Sequence, residues 1–352
     1  MGRDRLTAFG CALLAGSTGF VLHNSLFVWP KLIAGAYCCF AALPVLAPHR
    51  PLNPLFATAV GASAALGWLS HGSIAFSLLA LLIVWLARGA PHRQHFVPAL
   101  ATFVAIVIPW LLYQQLIDPP GNRLLKWHLA GVIPIDPRGT WQTLRDAYQA
   151  LSWQEWWFAR KANFLVTIDG DFSNLFDFSL EGARQRRGEE FFYLFRSIGF
   201  LNFVWLLWPV ARLCKLAPPL RQSQVARALA AWLVLTYTIW VTAMFIPSST
   251  IIHHGSYTML LGLISLAIVL AQNLPLLVRA ALFTAHAAYF GSTWLAYDGS
   301  AAIRSSMVAL TVLSLLALAA LYLRARRSAL NPAQTSTSPS QTPSSSTAAI
   351  HV

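Results

Sequence analysis

The sequence predicts an all-α protein, a polytopic integral membrane helix bundle of about ten transmembrane helices. Its 352 residues are 57% hydrophobic and only 11% charged, whereas soluble domains contain about 25% charged residues. Apolar runs near the length needed to cross ~30 Å of hydrocarbon recur along the chain. In addition, ten of the 12 acidic residues lie in one segment, residues 118–192, which is too polar to cross a bilayer.

Five apolar segments precede this polar segment and five follow it. The expected spans are residues 6–23, 31–48, 54–70, 72–87, 96–116, 193–212, 224–246, 254–272, 276–297 and 303–323. The chain therefore divides into a membrane block of five helices (1–117), a loop (118–192), a second block of five helices (193–324) and a tail (325–352). The tail is rich in Ser, Thr, Pro, Gln and Ala, and we expect it to be a disordered cytoplasmic end because it cannot bury enough apolar surface to fold.

Basic residues indicate the orientation of the spans, because Lys and Arg collect on short cytoplasmic loops. With a cytoplasmic N-terminus, every short loop agrees or is neutral except for two single charges, Lys31 and Arg304. We therefore expect both termini to be cytoplasmic and the 118–192 loop to be extracytoplasmic. The same rule explains the net charge of +13 without a nucleic-acid partner, since no contiguous basic face with interleaved aromatic residues is present.

The loop has the pattern of helices that lie on a membrane surface. Residues 141–151 repeat apolar side chains at three- and four-residue spacing, which predicts an amphipathic helix. Ser152 and Glu155 match a capping box, which predicts the start of a second helix. Three tryptophans give this second helix an aromatic side typical of the headgroup plane: Trp153, Trp156 and Trp157. We expect its charged residues to face water, namely Glu155, Arg160 and Lys161.

Basic residues at the predicted outer ends of helices are the candidates for a functional site. Ionisable side chains at membrane depth are costly and often functional, and Arg or Lys can hold phosphate oxygens. The alternatives are histidines that bond lipid headgroups and a stop-turn followed by headgroup-binding cations. The candidate residues for binding a lipid phosphate or a sugar are His71, Asp118, Arg123, Lys126, His128, His253 and His254.

No metal site is predicted. The four cysteines lie in or beside apolar spans, with neither a disulfide framework nor zinc-ligand spacing. Residues 169–174 (DGDFSN) begin like a calcium loop, but Asn174 stands where that loop needs glycine and Leu180 where it needs a bidentate glutamate. Nucleophile-elbow, phosphate-loop, dinucleotide and zinc-protease motifs are absent from the sequence.

Three phrases together resemble a known class of enzyme. They are residues 27–32 (FVWPKL), 70–76 (SHGSIAF) and 118–131 (DPPGNRLLKWHLAG). Their order and the surrounding helices resemble the later helices of bacterial GT-C class membrane glycosyltransferases. These are similar to the dolichyl-phosphate-mannose protein mannosyltransferases and the lipopolysaccharide sugar transferases. The resemblance covers roughly residues 20–320.

The resemblance implies transfer of a sugar from a polyprenyl-phosphate donor at the outer face of the membrane, often with a divalent metal. The family's catalytic Asp lies in its first external loop, but residues 23–31 here contain no Asp or Glu. We therefore assign no catalytic residue. The expectation is an incomplete chain, with the N-terminal part or a partner subunit separate, or a chain without transferase activity alone. The alternatives are a non-enzymatic lipid-binding or assembly subunit of an envelope polysaccharide system, a transporter, or an enzyme like the O-antigen ligases.

Overall fold

The computed structural model describes residues 30–46, 53–88, 93–117, 121–168, 176–189, 194–217, 224–249 and 257–296, with isolated helical positions at 12, 16 and between 305 and 323. Within these residues all regular secondary structure is helical, which confirms the all-α prediction. The helices of the first block are α1 (Lys31–Ala41), α2 (Leu43–Leu46), α3 (Pro54–Ser70), α4 (Ile74–Ala87) and α5 (Arg93–Leu116). The loop contributes α6 (Arg123–Ala130), α7 (Thr140–Ala150), α8 (Trp153–Ile168) and α9 (Leu180–Glu189). A 3₁₀ helix (Arg196–Phe203), α10 (Val204–Leu213), α11 (Gln224–Ala243), α12 (Tyr257–Ala271) and α13 (Leu276–Leu295) follow.

The predicted spans in the described residues match these helices to within three residues at each end, apart from a break in the span at 31–48 and a 3₁₀ start to the one at 193–212. Local signals explain some of this agreement. α3 begins with Asn53 as its N-cap, whose side-chain oxygen accepts a hydrogen bond of 2.7 Å from the Phe56 N–H, and Pro54 occupies the first turn. The expected spans at 6–23 and 303–323 lie outside the described residues, except for isolated helical positions.

The number of membrane-crossing helices differs from the expectation. Only two of the described helices are both long and apolar enough to cross a membrane, Gln94–Leu116 and Gln224–Ala243. Helices α1, α3, α4 and α12 are apolar but contain 11, 17, 14 and 15 residues. At 1.5 Å per residue they reach only about 16–26 Å, short of the ~30 Å of a bilayer core. Helix length alone therefore does not support ten spans.

Small residues set the packing of the first block. α3 packs closely on both α1 and α5, while α4 packs chiefly on α11. A Cβ atom placed on Gly61 of α3 would lie 2.0 Å from the carbonyl oxygen of Ala99 on α5, so the two helices touch backbone to backbone, as small-residue interfaces of membrane helices do. α4 is tied to α11 by a buried hydrogen bond of 2.8 Å from the Trp232 indole N–H to the Ser77 carbonyl.

We predict that Gly61→Ala lowers the stability of the protein. The added methyl group must separate α3 from α5, and overpacking of this kind costs about 1–3 kcal/mol. Thermal unfolding of the detergent-solubilised protein measures the effect. Gly72→Ala is the control, because a Cβ atom there has no neighbour within 4 Å. Equal melting temperatures for the two variants would contradict the close contact.

Candidate functional site

The short helix α6 is flanked at both ends by a residue in the left-handed backbone conformation. Asn122 (φ 66°) precedes it and Gly131 (φ 72°) ends it, and glycine is the residue best suited to such a C-terminal turn. A Cβ atom on Gly131 would lie 2.7 Å from the ring of Phe245. The loop therefore comes directly against the residues that follow α11, which we call the 244–249 turn.

Lys126 lies inside the loop rather than on its surface. Its side chain is buried, and its ammonium donates hydrogen bonds of 2.7 Å to the carbonyl of Asp136 and 2.5 Å to that of Arg138. Sequence reasoning placed Lys126 in a lipid-phosphate site because it lies near a helix end. The structure instead commits two of its three donors to the turn between α6 and α7.

Asp136 is the polar centre of that turn. Its buried carboxylate accepts hydrogen bonds from Arg138 Nε at 2.9 Å, from the Arg138 backbone N–H at 3.1 Å and from Thr143 Oγ1 at 2.6 Å. Foremost the Arg138 side chain, and then the Thr143 hydroxyl, hold the pKa of Asp136 well below its usual range. Asp136 is therefore an ionised structural acceptor and a poor base for taking up a proton.

Helix α8 has its polar side turned toward the protein. Arg160, Asn163 and Thr167, spaced three and four residues apart, are 3%, 0% and 1% exposed. The far side shows apolar residues at i, i+7 and i+10 spacing, Phe158, Leu165 and Ile168, at 64%, 45% and 45% exposed, and Trp153 and Trp157 in the first turns are exposed as well. The expected capping box is confirmed: Ser152 N–H donates to a Glu155 carboxylate oxygen at 2.9 Å, and Glu155 N–H donates to Ser152 Oγ at 3.2 Å. The expectation that Arg160 faces water is wrong, because its partners are in another part of the chain.

Those partners are the carbonyl groups at the end of α11. Arg160 donates from Nη1 to Thr242 O at 2.7 Å and from Nη2 to the carbonyls of Met244 and Phe245. The last carbonyls of a helix have no partner within the helix and carry its negative dipole end. A guanidinium satisfies both needs at once.

Asn163 and Tyr148 complete this attachment. The Asn163 amide donates to Met244 O at 3.1 Å and accepts from the Ser249 N–H at 2.8 Å. Tyr148 on α7 donates from its hydroxyl to Ala243 O at 3.2 Å. The loop is thus hydrogen-bonded to both the end of α11 and the 244–249 turn.

The backbone of His128 on α6 contacts the same turn. Its carbonyl accepts a hydrogen bond of 2.9 Å from the Phe245 N–H, and its ring stacks on Trp127 with 4.9 Å between centroids. Burial, and then the positive charge of Lys31, lower the pKa of His128 below the ordinary value for histidine. Lys31, buried at the start of α1, is therefore close enough for its charge to act on His128.

Lys31, His128 and Arg160 together form what we call the basic cluster. The three residues come from the first block, α6 and α8. Arg160 and the His128 carbonyl bond to the 244–249 turn, and Lys31 is close enough for its charge to act on His128. Arg160 keeps one buried donor, Nε–H, that has no hydrogen-bond partner among the described residues. Such a grouping suits an anion with several oxygens, such as a phosphate.

The other predicted site residues have separate positions. Arg123 is exposed at the first position of α6, and His71 is half-buried in the turn after α3, with its Nδ1 2.5 Å from Ser73 Oγ. Asp118, His253 and His254 lie outside the described residues.

Sequence reasoning missed Lys31 and Arg160 as members of the site. For Lys31 there was a signal, because the predicted topology puts this positive charge on the side where the orientation rule expects few. For Arg160 the signal was its spacing with Asn163 and Thr167, which marks one polar side of a helix.

The described residues do not fit a divalent metal. Nowhere in them do three or more His, Cys, Asp or Glu side chains come together in a group that could hold one. The carboxylates of the loop that the structure describes have partners nearby: Asp136 and Asp146 pair with Arg138, Glu155 caps α8, Asp177 accepts from the Ser179 N–H, and Glu181 lies 3.8 Å from Arg184.

No known protein family, curated protein or solved structure matches this chain.

We predict that Arg160→Met destabilises the protein by about 1–3 kcal/mol, because carbonyls at the end of α11 lose their donors. Lys161→Met is the matched control: it removes an exposed charge from the neighbouring position. Thermal unfolding in detergent measures both. Equal melting temperatures would mean that the arginine does not support the end of α11.

Proposed function

We propose that the chain is a polytopic protein of a bacterial inner membrane, with about ten spans, cytoplasmic termini and the 118–192 loop on the outer surface. Helix α8 supports this placement, because its polar residues Arg160, Asn163 and Thr167 face the protein while large apolar and aromatic residues are exposed. Such an exposed surface suits a headgroup layer. The apolar helix α5 supports it too, because only 6% of its most apolar window is buried in the protein. The shorter helices would lie within the bundle, covered at the outer end by the loop.

The topology predicts where a reporter will be active. An alkaline phosphatase fused after Gln149 should be active, because that enzyme needs an oxidising compartment, and a fusion after Arg221 should be inactive. Activity of a cytoplasmic reporter at Gln149 would reverse the orientation and would place the basic cluster on the wrong side.

Within this placement, we propose that the protein binds the phosphate of a polyprenyl-phosphate-linked sugar at the basic cluster. The observation that carries the proposal is that Arg160 and the His128 carbonyl both bond to the 244–249 turn, while the charge of Lys31 acts on His128. In the sequence, this turn lies only a few residues before His253 and His254. Charges at membrane depth are costly unless they serve a ligand or a structural partner. A bound phosphate would compensate the positive charges and would accept from donors such as Arg160 Nε–H.

Glycosyl transfer, as the GT-C resemblance implies, needs in addition a carboxylate that deprotonates the acceptor hydroxyl. The described carboxylates of the loop are engaged in ion pairs or hydrogen bonds, and the pKa of Asp136 is lowered by its partners. This observation favours the second candidate function, a non-enzymatic lipid-binding or assembly subunit of an envelope polysaccharide system. Asp118, the one acid of the candidate binding set, lies outside the described residues.

We predict that Lys31→Met weakens binding of a polyprenyl phosphate at least about ten-fold, as the loss of one charge-assisted contact should. Lys31→Arg should retain binding. Arg184→Gln is the control, because Arg184 is exposed on α9 and pairs with Glu181 at 3.8 Å. Titration of the purified protein in detergent measures the affinity.

The same titration has an expected pH dependence. A bound phosphate favours the protonated form of His128, whose pKa is lowered in the free protein, so affinity should rise from about pH 8 to about pH 6. His128→Gln should flatten this dependence. Affinity that is unchanged by Lys31→Met and independent of pH would remove the basic cluster as the binding site.

A further inference from the structure

Helices α3, α4 and α5 enclose an apolar groove of about 370 Å³. It is lined by Val60 and Ala64 of α3, Leu78 and Leu82 of α4, and Ala99 and Phe103 of α5. The groove exists because α3 is drawn onto α5 by the Gly61 contact, while α4 is held by α11 on its other side. It opens sideways, since the rim residues Leu79 and Leu100 are exposed.

The length of the groove matches one leaflet of a membrane. Along α3 its lining runs from Ala57 to Trp68, which at 1.5 Å per residue is about 16 Å. A bilayer core of ~30 Å contains two leaflets of about this depth. Water is disfavoured in a groove with so few polar atoms, and in the proposed membrane the surrounding solvent is hydrocarbon.

Positive charge is concentrated at one end of the groove. His95 lines that end, beside the stacked rings of Trp85 and Phe96, whose centroids are 4.9 Å apart. The exposed Arg88 reaches the same end, because its Nη1 donates a hydrogen bond of 2.6 Å to the carbonyl of Val45, another lining residue. No Asp or Glu occurs between residues 5 and 117 of the sequence.

We infer that this groove binds one acyl chain of an anionic phospholipid, with the lipid phosphate held by Arg88 and His95. In the proposed topology this end faces the cytoplasm, where the leaflet carries anionic lipids and basic pockets between helices bind their headgroups. The one-leaflet length fits a phospholipid chain better than a much longer polyprenyl chain. The inference rests on the membrane placement, but not on the polyprenyl-phosphate site, which is at the outer end of the bundle.

Native mass spectrometry of the full chain in mild detergent tests this inference. Phosphatidylglycerol and phosphatidylcholine with the same acyl chains are added in turn. We expect one phosphatidylglycerol to be retained at least about ten-fold more strongly than phosphatidylcholine, and Arg88→Gln to remove most of that preference. Ala64→Phe should fill the groove and abolish retention of either lipid.

Two further variants keep the test decisive. Val104→Phe enlarges an exposed residue of α5 that does not line the groove, and it should retain phosphatidylglycerol like the natural protein. If Ala64→Phe does not fold, Leu82→Trp at the rim serves the same purpose. Equal retention of the two lipids by the natural protein, or undiminished retention by the filled variants, would overturn the inference.

The other candidate occupants give distinct results. One-for-one displacement of phosphatidylglycerol by a polyprenyl phosphate would assign the groove to that lipid instead. A photoreactive residue at Leu79 that cross-links to residues 6–23, and not to lipid, would identify the chain's own first apolar segment as the occupant. Either result would overturn binding of a phospholipid.

Discussion

The free carbonyl groups at the end of α11 are the constraint on which the outer part of this structure depends. A helix end leaves four carbonyls without partners, and close to a bilayer water cannot be relied on to satisfy them. Arg160, Asn163 and Tyr148 supply donors from two helices of the loop. These hydrogen bonds determine where the loop packs on the helices, and they also fix the position of the 244–249 turn.

The inversion of α8 is the second consequence. A helix on the surface of a soluble domain turns its apolar stripe toward the core. Helix α8 instead turns Arg160, Asn163 and Thr167 inward and the apolar residues Phe158, Leu165 and Ile168 outward. This order is unfavourable in water and favourable where the outer surroundings are partly apolar. The arrangement therefore connects one set of hydrogen bonds to the proposed membrane placement of the chain.

The limits of sequence reasoning follow from the range of each interaction. The bounds of α3 and the capping box of α8 could be predicted because their signals lie within a few residues of each other. The roles of Lys126 and Arg160 could not, since a charge in a sequence does not name its partner, and the partners of Arg160 are 82–85 residues away. Helix length does not support the expected number of spans for a related reason, because apolar composition alone does not show where a helix ends, as at Ala41.

The basic residues of the loop and of α1 thus have different structural roles although they look alike in the sequence. Lys126 and Arg138 are consumed in folding the turn between α6 and α7, where carbonyls and Asp136 satisfy them. Lys31 instead lies close enough to act on His128, whose pKa is lowered first by burial and then by the positive charge of Lys31. A site that disfavours its own protonation in this way gains most from a bound anion, because the anion removes the repulsion that the empty site carries. This is the physical reason to look for the ligand at Lys31 and His128 rather than at the more numerous charges of the loop.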